Sequence, residues 1–182
     1  LTNDTELLEF DFLSFHEPAI IAPHIYFRKL HRVDSMGGKF TPRWGKLIHI
    51  KDNSHQVFGK KEFFYVPGTA FYIHREIYYA VGEFDERLHT YWEDVDFSMR
   101  VHEKKLPMYY SSKIKLLHRV GKTCHDNPFY TTYLFKRNWK NISLKYCTNI
   151  DKIFFLTVLL RDVSRNIIKL FAKKDRSRFK LY

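Results

Sequence analysis

Residues 91–100 read YWEDVDFSMR, and they predict a helix whose first turn is crowded with acidic side chains. Apolar residues in this stretch recur at the four-residue spacing of a helix: Val95 with Met99, and Phe97 with Val101. We therefore predict a helix over residues 92–105. The chain around it is basic, with a formal net charge of +11, so the local excess of carboxylates needs an explanation.

The segments on either side of this helix alternate between strand and helix patterns. A short buried strand is predicted at residues 18–27, and a strand, a turn and a second apolar stretch are predicted at residues 61–73. Further helices are predicted at residues 74–82 and 129–147 and in the C-terminal tail. The irregular alternation of strands and helices favours a mixed α/β domain.

The composition is typical of one folded domain in a reducing compartment. The chain has 182 residues, of which 45% are hydrophobic, which is enough for a core and too many for a disordered segment. It has two cysteines, Cys124 and Cys147, and no Cys-x-x-Cys pair, so neither a zinc knuckle nor a disulfide scaffold is expected. We expect a cytoplasmic protein.

The basic charge is concentrated in the tail, residues 152–182, where nine Lys or Arg residues stand against Asp162 and Asp175. The tail also carries an apolar stripe at helical spacing: Leu156, Leu159, Leu160, Val163, Ile167, Leu170 and Phe171. Either this helix docks on the domain, or it lies at an anionic membrane surface with its basic residues facing the headgroups: Arg161, Arg165, Lys169 and Lys173. Nucleic acid is not expected as a partner, because no RNA-binding or helix-turn-helix motif accompanies the charge.

The acidic cluster after Tyr91 has two interpretations. In the first, Glu93 and Asp94 suit the positive end of the helix dipole, as acidic residues in a first turn commonly do. Asp96 would then form a surface ion pair with a residue four positions later, Arg100. In the second, the cluster contains a catalytic carboxylate, and the ring of Trp92 packs on the C–H face of a sugar whose hydroxyls bind the acids.

Two further side chains suit a divalent cation. Asp4, in the stretch TNDTE, forms either an Asx-turn after a strand or one hard oxygen ligand for Mg²⁺ or Mn²⁺. His118 follows an apolar strand, and a single histidine in that position is either structural or a ligand for Mn²⁺.

Three blocks of sequence carry a resemblance to a known family. They are LTNDTELLEFDFL at the start, VPGTAFYIHREIYYAVGEFDERLHTYWEDVDFSMRVHEKKLP at 66–107 and HRVGKTCHDNPFYTTYLFKRN at 118–138. In their order and spacing they resemble the family-two inverting glycosyltransferases of the GT-A fold, and especially the bacterial rhamnosyltransferase-like branch. The resemblance runs from residue 1 to about residue 146.

The resemblance implies an acceptor side and a donor side. On the acceptor side, Asp94 matches the catalytic base, and Glu93 matches an acidic neighbour that helps to hold the acceptor, next to Trp92. Gly68 falls where the family brings a backbone close to the substrate.

On the donor side, Asp4 matches the last Asp of the metal motif, and His118 matches a histidine that approaches the same Mg²⁺ or Mn²⁺ ion. Arg137 falls on an Arg-Asn pair of the family, and we assign it to the donor diphosphate. The first acid of the metal motif is replaced here by Thr2, so that fewer charges would hold the ion.

The resemblance also implies an organisation and a function. It does not include the family's first half, which holds the nucleotide, so we expect a missing N-terminal half or a partner chain. Residues 1–147 would form a partial GT-A domain and residues 148–182 a basic amphipathic helical tail. The expected activity is inverting transfer of a sugar from a nucleotide-diphosphate sugar to a glycan or lipid-linked acceptor, in cell-surface polysaccharide synthesis. The alternative is a non-catalytic binding or scaffold module derived from such a domain.

Overall fold

A computed structural model describes residues 4–11, 15–27, 32–52, 61–119 and 128–178, with the side chains of the last helix up to Lys169. The strands in these ranges are β1 (Thr5–Phe10), β2 (Ile20–Phe27), β3 (Val33–Ser35), β4 (Gly38–Thr41), β5 (Lys46–His49), β6 (Phe63–Tyr65), β7 (Tyr72–Ile73) and β8 (Met108–His118). The helices are α1 (Arg75–Val81), α2 (Glu93–Glu103), α3 (Pro128–Tyr146) and α4 (Asn149–Arg178).

The larger sheet is mixed, with β2 and β8 at its centre. Its strand order is β1-β8-β2-β3, and β7 also pairs with β2. Strands β2 and β8 are parallel, whereas the other pairings in this sheet are antiparallel. In register, His118 at the end of β8 lies opposite Thr5 of β1 and Phe27 of β2. A smaller antiparallel sheet has the order β5-β4-β6. The predicted mixed α/β class, with a mixed sheet and C-terminal helices, is confirmed.

Helix α2 is buried on two sides because it contacts core residues of both sheets. Phe97 and Val101 belong to a cluster with residues of β2 and α1: Ile20, Ala22, Ile77 and Val81. Val95 and Met99 belong to a second cluster with residues of the smaller sheet, Phe40 and Tyr65. The two apolar pairs that predicted the helix therefore face different cores.

Three hydrogen bonds align α2 with the extended segment 64–68. Asp94 Oδ2 accepts from the backbone N–H of Gly68 at 2.7 Å, and Ser98 Oγ accepts from that of Val66 at 3.1 Å. His102 Nε2 lies 2.7 Å from the carbonyl oxygen of Phe64, to which it donates. The contacts recur every four residues in the helix and every two residues in the extended segment. Four helical residues rise about 6 Å and two extended residues about 6.6 Å, so the two spacings match closely enough for three successive contacts.

The structure corrects the expectation that Asp96 lies on the surface. Asp96 pairs with Arg100 at 3.0 Å as the four-residue spacing predicts, but it is only 1% exposed. Its second carboxylate oxygen lies 2.6 Å from Lys145 Nζ and accepts from the Tyr146 hydroxyl at 2.8 Å. The carboxylate therefore joins α2 to the end of α3, a contact that local spacing does not encode.

Helix α4 is fixed to the domain at its first turn and is exposed farther along. The buried carboxylate of Asp151 accepts hydrogen bonds from Lys61 at 2.9 Å and from the hydroxyl of Thr148 at 2.6 Å, and it also pairs with Arg43. These bonds hold the pKa of Asp151 well below its usual range. Among the described residues, no helix has the length and apolar character needed to cross a membrane.

Replacing Asp96 with asparagine should destabilise the fold, because a neutral amide with only one accepting oxygen would then face two cations. We expect Asp96→Asn to lower the free energy of unfolding by about 3 kcal/mol. This is the low end of the range for breaking a buried ion pair, and we choose it because the Lys145 side chain is partly exposed to solvent. Urea denaturation measures this loss. Glu9→Gln, which removes the exposed partner of Lys115, is the control and should cost much less. Equal losses in the two variants would contradict a structural role for Asp96.

Candidate functional site

Asp94 lies in the first turn of helix α2 and faces a glycine. Its Oδ2 accepts from Gly68 N–H, and its Oδ1 accepts from the backbone N–H of Val95 at 2.8 Å. A Cβ atom added to Gly68 would lie 3.4 Å from both Cβ and Oδ2 of Asp94, so the backbone approaches the carboxylate closely. The approach of the Gly68 backbone to a substrate, which the family resemblance implies, stays a prediction.

The chain enters α2 through strained backbone. His89, Tyr91 and Trp92 have φ angles of 60°, 66° and 75°, in the left-handed region that non-glycine residues seldom adopt. No side chain caps the helix at Trp92. Such strain persists where surrounding contacts over-determine it, and it is frequent at functional sites.

Helix α3 supplies the contacts that hold this strained segment. The buried side-chain amide of Asn138 donates to the carbonyl oxygens of Leu88, Thr90 and Tyr91 at 2.8–2.9 Å. Arg137 Nη2 donates to the carbonyl oxygen of Arg87 at 2.8 Å. The structure thus gives the Arg-Asn pair a role in holding the segment before α2, and the assignment of Arg137 to a donor diphosphate stays a prediction.

The two carboxylates at the start of α2 are both biased toward the protonated form. Burial raises the pKa of Asp94, although its hydrogen bonds from Gly68 and Val95 act in the opposite direction. Burial also raises the pKa of Glu93 to about 6, and the neighbouring charge of Asp94 adds to this effect. Glu93 Oε2 is buried without a hydrogen-bond partner in the described part of the chain. Buried polar atoms are nearly always hydrogen-bonded, so this oxygen is an exception in the fold.

Trp92 lies in the core. It is 4% exposed, and its ring meets Phe40 and Phe135 edge to face, both with centroids 5.8 Å away. The expectation of an open ring face beside the acids is therefore corrected, because the indole packs between Phe40 and Phe135 in the core. An acceptor contact to Trp92 stays a prediction, limited to the small part of the ring that lines a cavity with Leu47 and Trp139.

Asp4 and His118, predicted as metal ligands from distant parts of the sequence, lie together at the end of the larger sheet. His118 Nε2 is 3.3 Å from Asp4 Oδ2, and His118 Nδ1 is 3.2 Å from Oδ2 of Asp34. Asp34, in β3, was not predicted, because its short strand matches no motif. Pairing of β1 with β8 brings Asp4 and His118 to one edge.

These three side chains do not form a closed metal centre. The described residues include no group of three or more His, Cys, Asp or Glu side chains arranged to hold a metal ion. Both nitrogens of His118 are within hydrogen-bond distance of a carboxylate. Mg²⁺ is commonly held by one or two carboxylates with waters and phosphate oxygens, so the donor types fit a divalent ion only where a ligand completes the site.

His49 lies within electrostatic range of both Asp34 and Asp94. Burial lowers the pKa of His49, while the charges of Asp34 and Asp94 raise it, and His118 also acts on it. The charges at the start of α2 and at the end of β8 therefore lie within electrostatic range of one imidazole. Neither Asp34 nor His49 carried a sequence signal, because each reaches the site through tertiary packing of the short strands β3 and β5.

Comparison with known proteins adds no assignment. The chain matches no protein-family model, and no curated protein is significantly similar to it in sequence.

The raised pKa of Glu93 predicts a pH-dependent stability. Because the folded-state pKa of about 6 exceeds the ordinary value of 4.5, the folded protein binds more protons between these values than the unfolded chain. The free energy of unfolding should therefore fall as the pH rises from about 4.5 to 6. In urea denaturation from pH 4 to 7, the free energy of unfolding should decrease less with pH for Glu93→Gln than for the wild type. Superimposable profiles would show that Glu93 titrates normally.

Proposed function

We propose that this chain is the acceptor-side part of an inverting glycosyltransferase of the GT-A fold, related to the rhamnosyltransferase-like branch of family two. It would transfer a sugar from a nucleotide-diphosphate sugar to a glycan or lipid-linked acceptor during cell-surface polysaccharide synthesis. The observation that carries the proposal is the geometry of Asp94, a half-buried carboxylate in the first turn of α2 that accepts a hydrogen bond from Gly68 N–H.

Asp94 would act as the general base. The acceptor hydroxyl oxygen forms a bond to the anomeric carbon, the bond from that carbon to the diphosphate oxygen breaks with its electron pair, and the hydroxyl proton moves to Asp94. Burial moves the pKa of Asp94 upward, toward neutral pH. A general base is most effective when its pKa lies near the pH at which the enzyme works. The unpartnered Oε2 of Glu93 would accept a hydrogen bond from a second acceptor hydroxyl.

The donor side would need a divalent ion. Asp4 and His118 are the residues proposed to hold Mg²⁺ or Mn²⁺, and such an ion would offset the negative charge that grows on the leaving diphosphate. Asp34 would orient His118 through its bond to Nδ1. A nucleotide-binding segment, in the same polypeptide or in a partner chain, is part of the proposal.

A non-catalytic glycan-binding module is the second candidate. One observation favours it: the residues assigned to the donor are already engaged, with His118 between two carboxylates and Arg137 bonded to backbone carbonyl oxygens. In that case Glu93 and Asp94 would bind hydroxyl groups without transferring a sugar.

Substitution of the base tests the enzymatic proposal. In the product of the complete reading frame, Asp94→Asn should lower kcat by about two to four orders of magnitude, the usual contribution of a positioned base. The asparagine carbonyl can still accept from Gly68, so circular dichroism should show an unchanged fold. The control is Glu103→Gln, an exposed carboxylate on the same helix, which should keep the wild-type rate.

The rate is measured as the release of nucleoside diphosphate, and a series of nucleotide-diphosphate sugars is screened to find the donor. Donor affinity should stay the same in Asp94→Asn, because the proposed donor contacts lie at Asp4 and His118. A folded Asp94→Asn variant with near wild-type turnover would contradict a catalytic role, and the acidic residues would then only stabilise the first turn of α2. No turnover with any donor, together with glycan binding that depends on Glu93 and Asp94, would favour the binding module.

The proposal includes a peripheral location at the inner face of the cell membrane. Exposed apolar side chains form a stripe along α4 with alternating spacings of three and four: Ile153, Leu156, Leu160, Val163 and Ile167. A stripe of this kind on a basic helix can enter the boundary between headgroups and acyl chains. Lys173, expected among the headgroup contacts, lies beyond the described side chains.

Vesicle co-sedimentation tests this location. Vesicles containing phosphatidylglycerol should retain the wild-type chain, and binding should weaken as salt rises, because charges are screened over about 8 Å at physiological ionic strength. A variant with Leu156, Leu160 and Ile167 replaced by glutamine should lose most of the binding. The matched control, Tyr79→Gln, removes an exposed aromatic residue of α1 and should bind normally. Unchanged sedimentation of the stripe variant would exclude α4 as the contact.

A further inference from the structure

A groove of about 600 Å³ lies beside α4, on a part of the surface that the proposed reaction does not use. One wall is the turn that leads into β5, the floor includes a residue of α3, and the other wall is α4. The side chains that give it its chemical character are Trp44, Lys46, Trp139, Arg161, Asp162 and Arg165. Its volume falls within the range of small-ligand sites.

The groove carries uncompensated positive charge. Lys46, Arg161 and Arg165 form no ion pair with any residue in the described ranges. The one acid in the lining, Asp162, already pairs with Lys136 at 2.6 Å. An anion in the groove would meet two guanidinium groups, whose planar array of donors suits carboxylates and phosphates.

The aromatic wall of the groove is built before any ligand binds. Trp139 Nε1 donates to the carbonyl oxygen of Gly45 at 2.9 Å, and its ring packs edge to face on Phe155. Gly45 has a φ of 55°, and a Cβ there would lie 2.2 Å from Trp139 Nε1, so a side chain would break this wall. Trp44 stands at the rim, 46% exposed, against the edge of Phe154.

The groove adjoins a second cavity that Trp92 lines. This cavity, of about 260 Å³, shares Gly45 and Trp139 with the groove as walls. Trp92 immediately precedes Glu93 and Asp94 in the chain. A chain-like ligand that filled both spaces would run from the basic groove to the beginning of α2.

We propose that this groove binds an acidic glycan, in which carboxylates or phosphates pair with Arg161 and Arg165 and a sugar ring packs on Trp44. The C–H bonds on the face of a sugar are slightly positive and are attracted to the negative face of an indole. The inference rests on the proposed function in one respect: it makes the groove the distal part of the acceptor site and gives the acceptor a negative charge.

The position of the groove favours a glycan over a membrane surface. Leu156 of the apolar stripe and Arg165 of the groove are nine positions apart, which at about 100° per residue puts them on opposite sides of α4. A bilayer that met the stripe would leave the groove facing away.

Calorimetric titration of the whole chain, without donor or metal, tests the proposal. The acidic probes are tetragalacturonate and a pentamannose monophosphate, and galactotetraose is the neutral control. We expect at least one acidic probe to bind at least tenfold more tightly than galactotetraose. Replacing both Arg161 and Arg165 with glutamine should raise its Kd at least tenfold, and Trp44→Ala should also weaken it.

The matched control replaces Lys152 and Lys169 with glutamine, which removes the same charge from the same helix outside the groove. This variant should bind as the wild type does. Because no sugar transfer is measured, failure of binding and absence of catalysis are separate results.

Three results would overturn the proposal. In the first, neither acidic probe binds more tightly than the neutral one. In the second, the two double variants lose the same affinity, which would indicate net charge alone. In the third, inorganic pyrophosphate, phosphatidylglycerol vesicles or an eight-residue oligothymidylate binds more tightly than both acidic glycans and depends on Arg161 and Arg165.

Discussion

The match between helix α2 and the extended segment 64–68 is the constraint on which the rest of the structure depends. Hydrogen bonds from positions 94, 98 and 102 reach positions 68, 66 and 64, because four helical residues and two extended residues cover nearly the same length. This alignment sets the height of α2 between the two sheets and holds Asp94 against Gly68. The strained segment that precedes the helix is held in turn by Asn138 of α3.

One helical turn then holds three carboxylates in three different environments. Asp96 is buried, and two cations and a tyrosine hydroxyl compensate its charge, so it acts as a structural anchor. Burial raises the pKa of Glu93, whose Oε2 has no hydrogen-bond partner among the described residues. Asp94 lies between these cases, since backbone N–H groups partly offset the cost of its burial. Divergent environments for neighbouring acids favour a functional interpretation of the cluster over a simple helix start.

Helix α4 separates two surfaces of different chemistry. Its first turn is fixed by the buried carboxylate of Asp151, and beyond that turn it offers a basic, tryptophan-lined groove on one side and an exposed apolar stripe on the other. An acceptor that is both acidic and attached to a lipid would use both surfaces, with the glycan in the groove and the anchor in the bilayer. In this arrangement Arg161 and Arg165, which the sequence assigned to lipid headgroups, serve the groove, and the apolar stripe alone meets the bilayer.

The sequence by itself determined the features that depend on neighbours along the chain. Periodicity predicted α2 and the α/β class, and four-residue spacing predicted the pair of Asp96 with Arg100. Family-like blocks also selected Asp4 and His118, which β1–β8 pairing brings together. Only the tertiary structure decided that Asp96 and Trp92 are buried and that Asp34 and His49 join the site. Those outcomes depend on which elements pack together, and residues far apart in the chain leave no local pattern that records their contact.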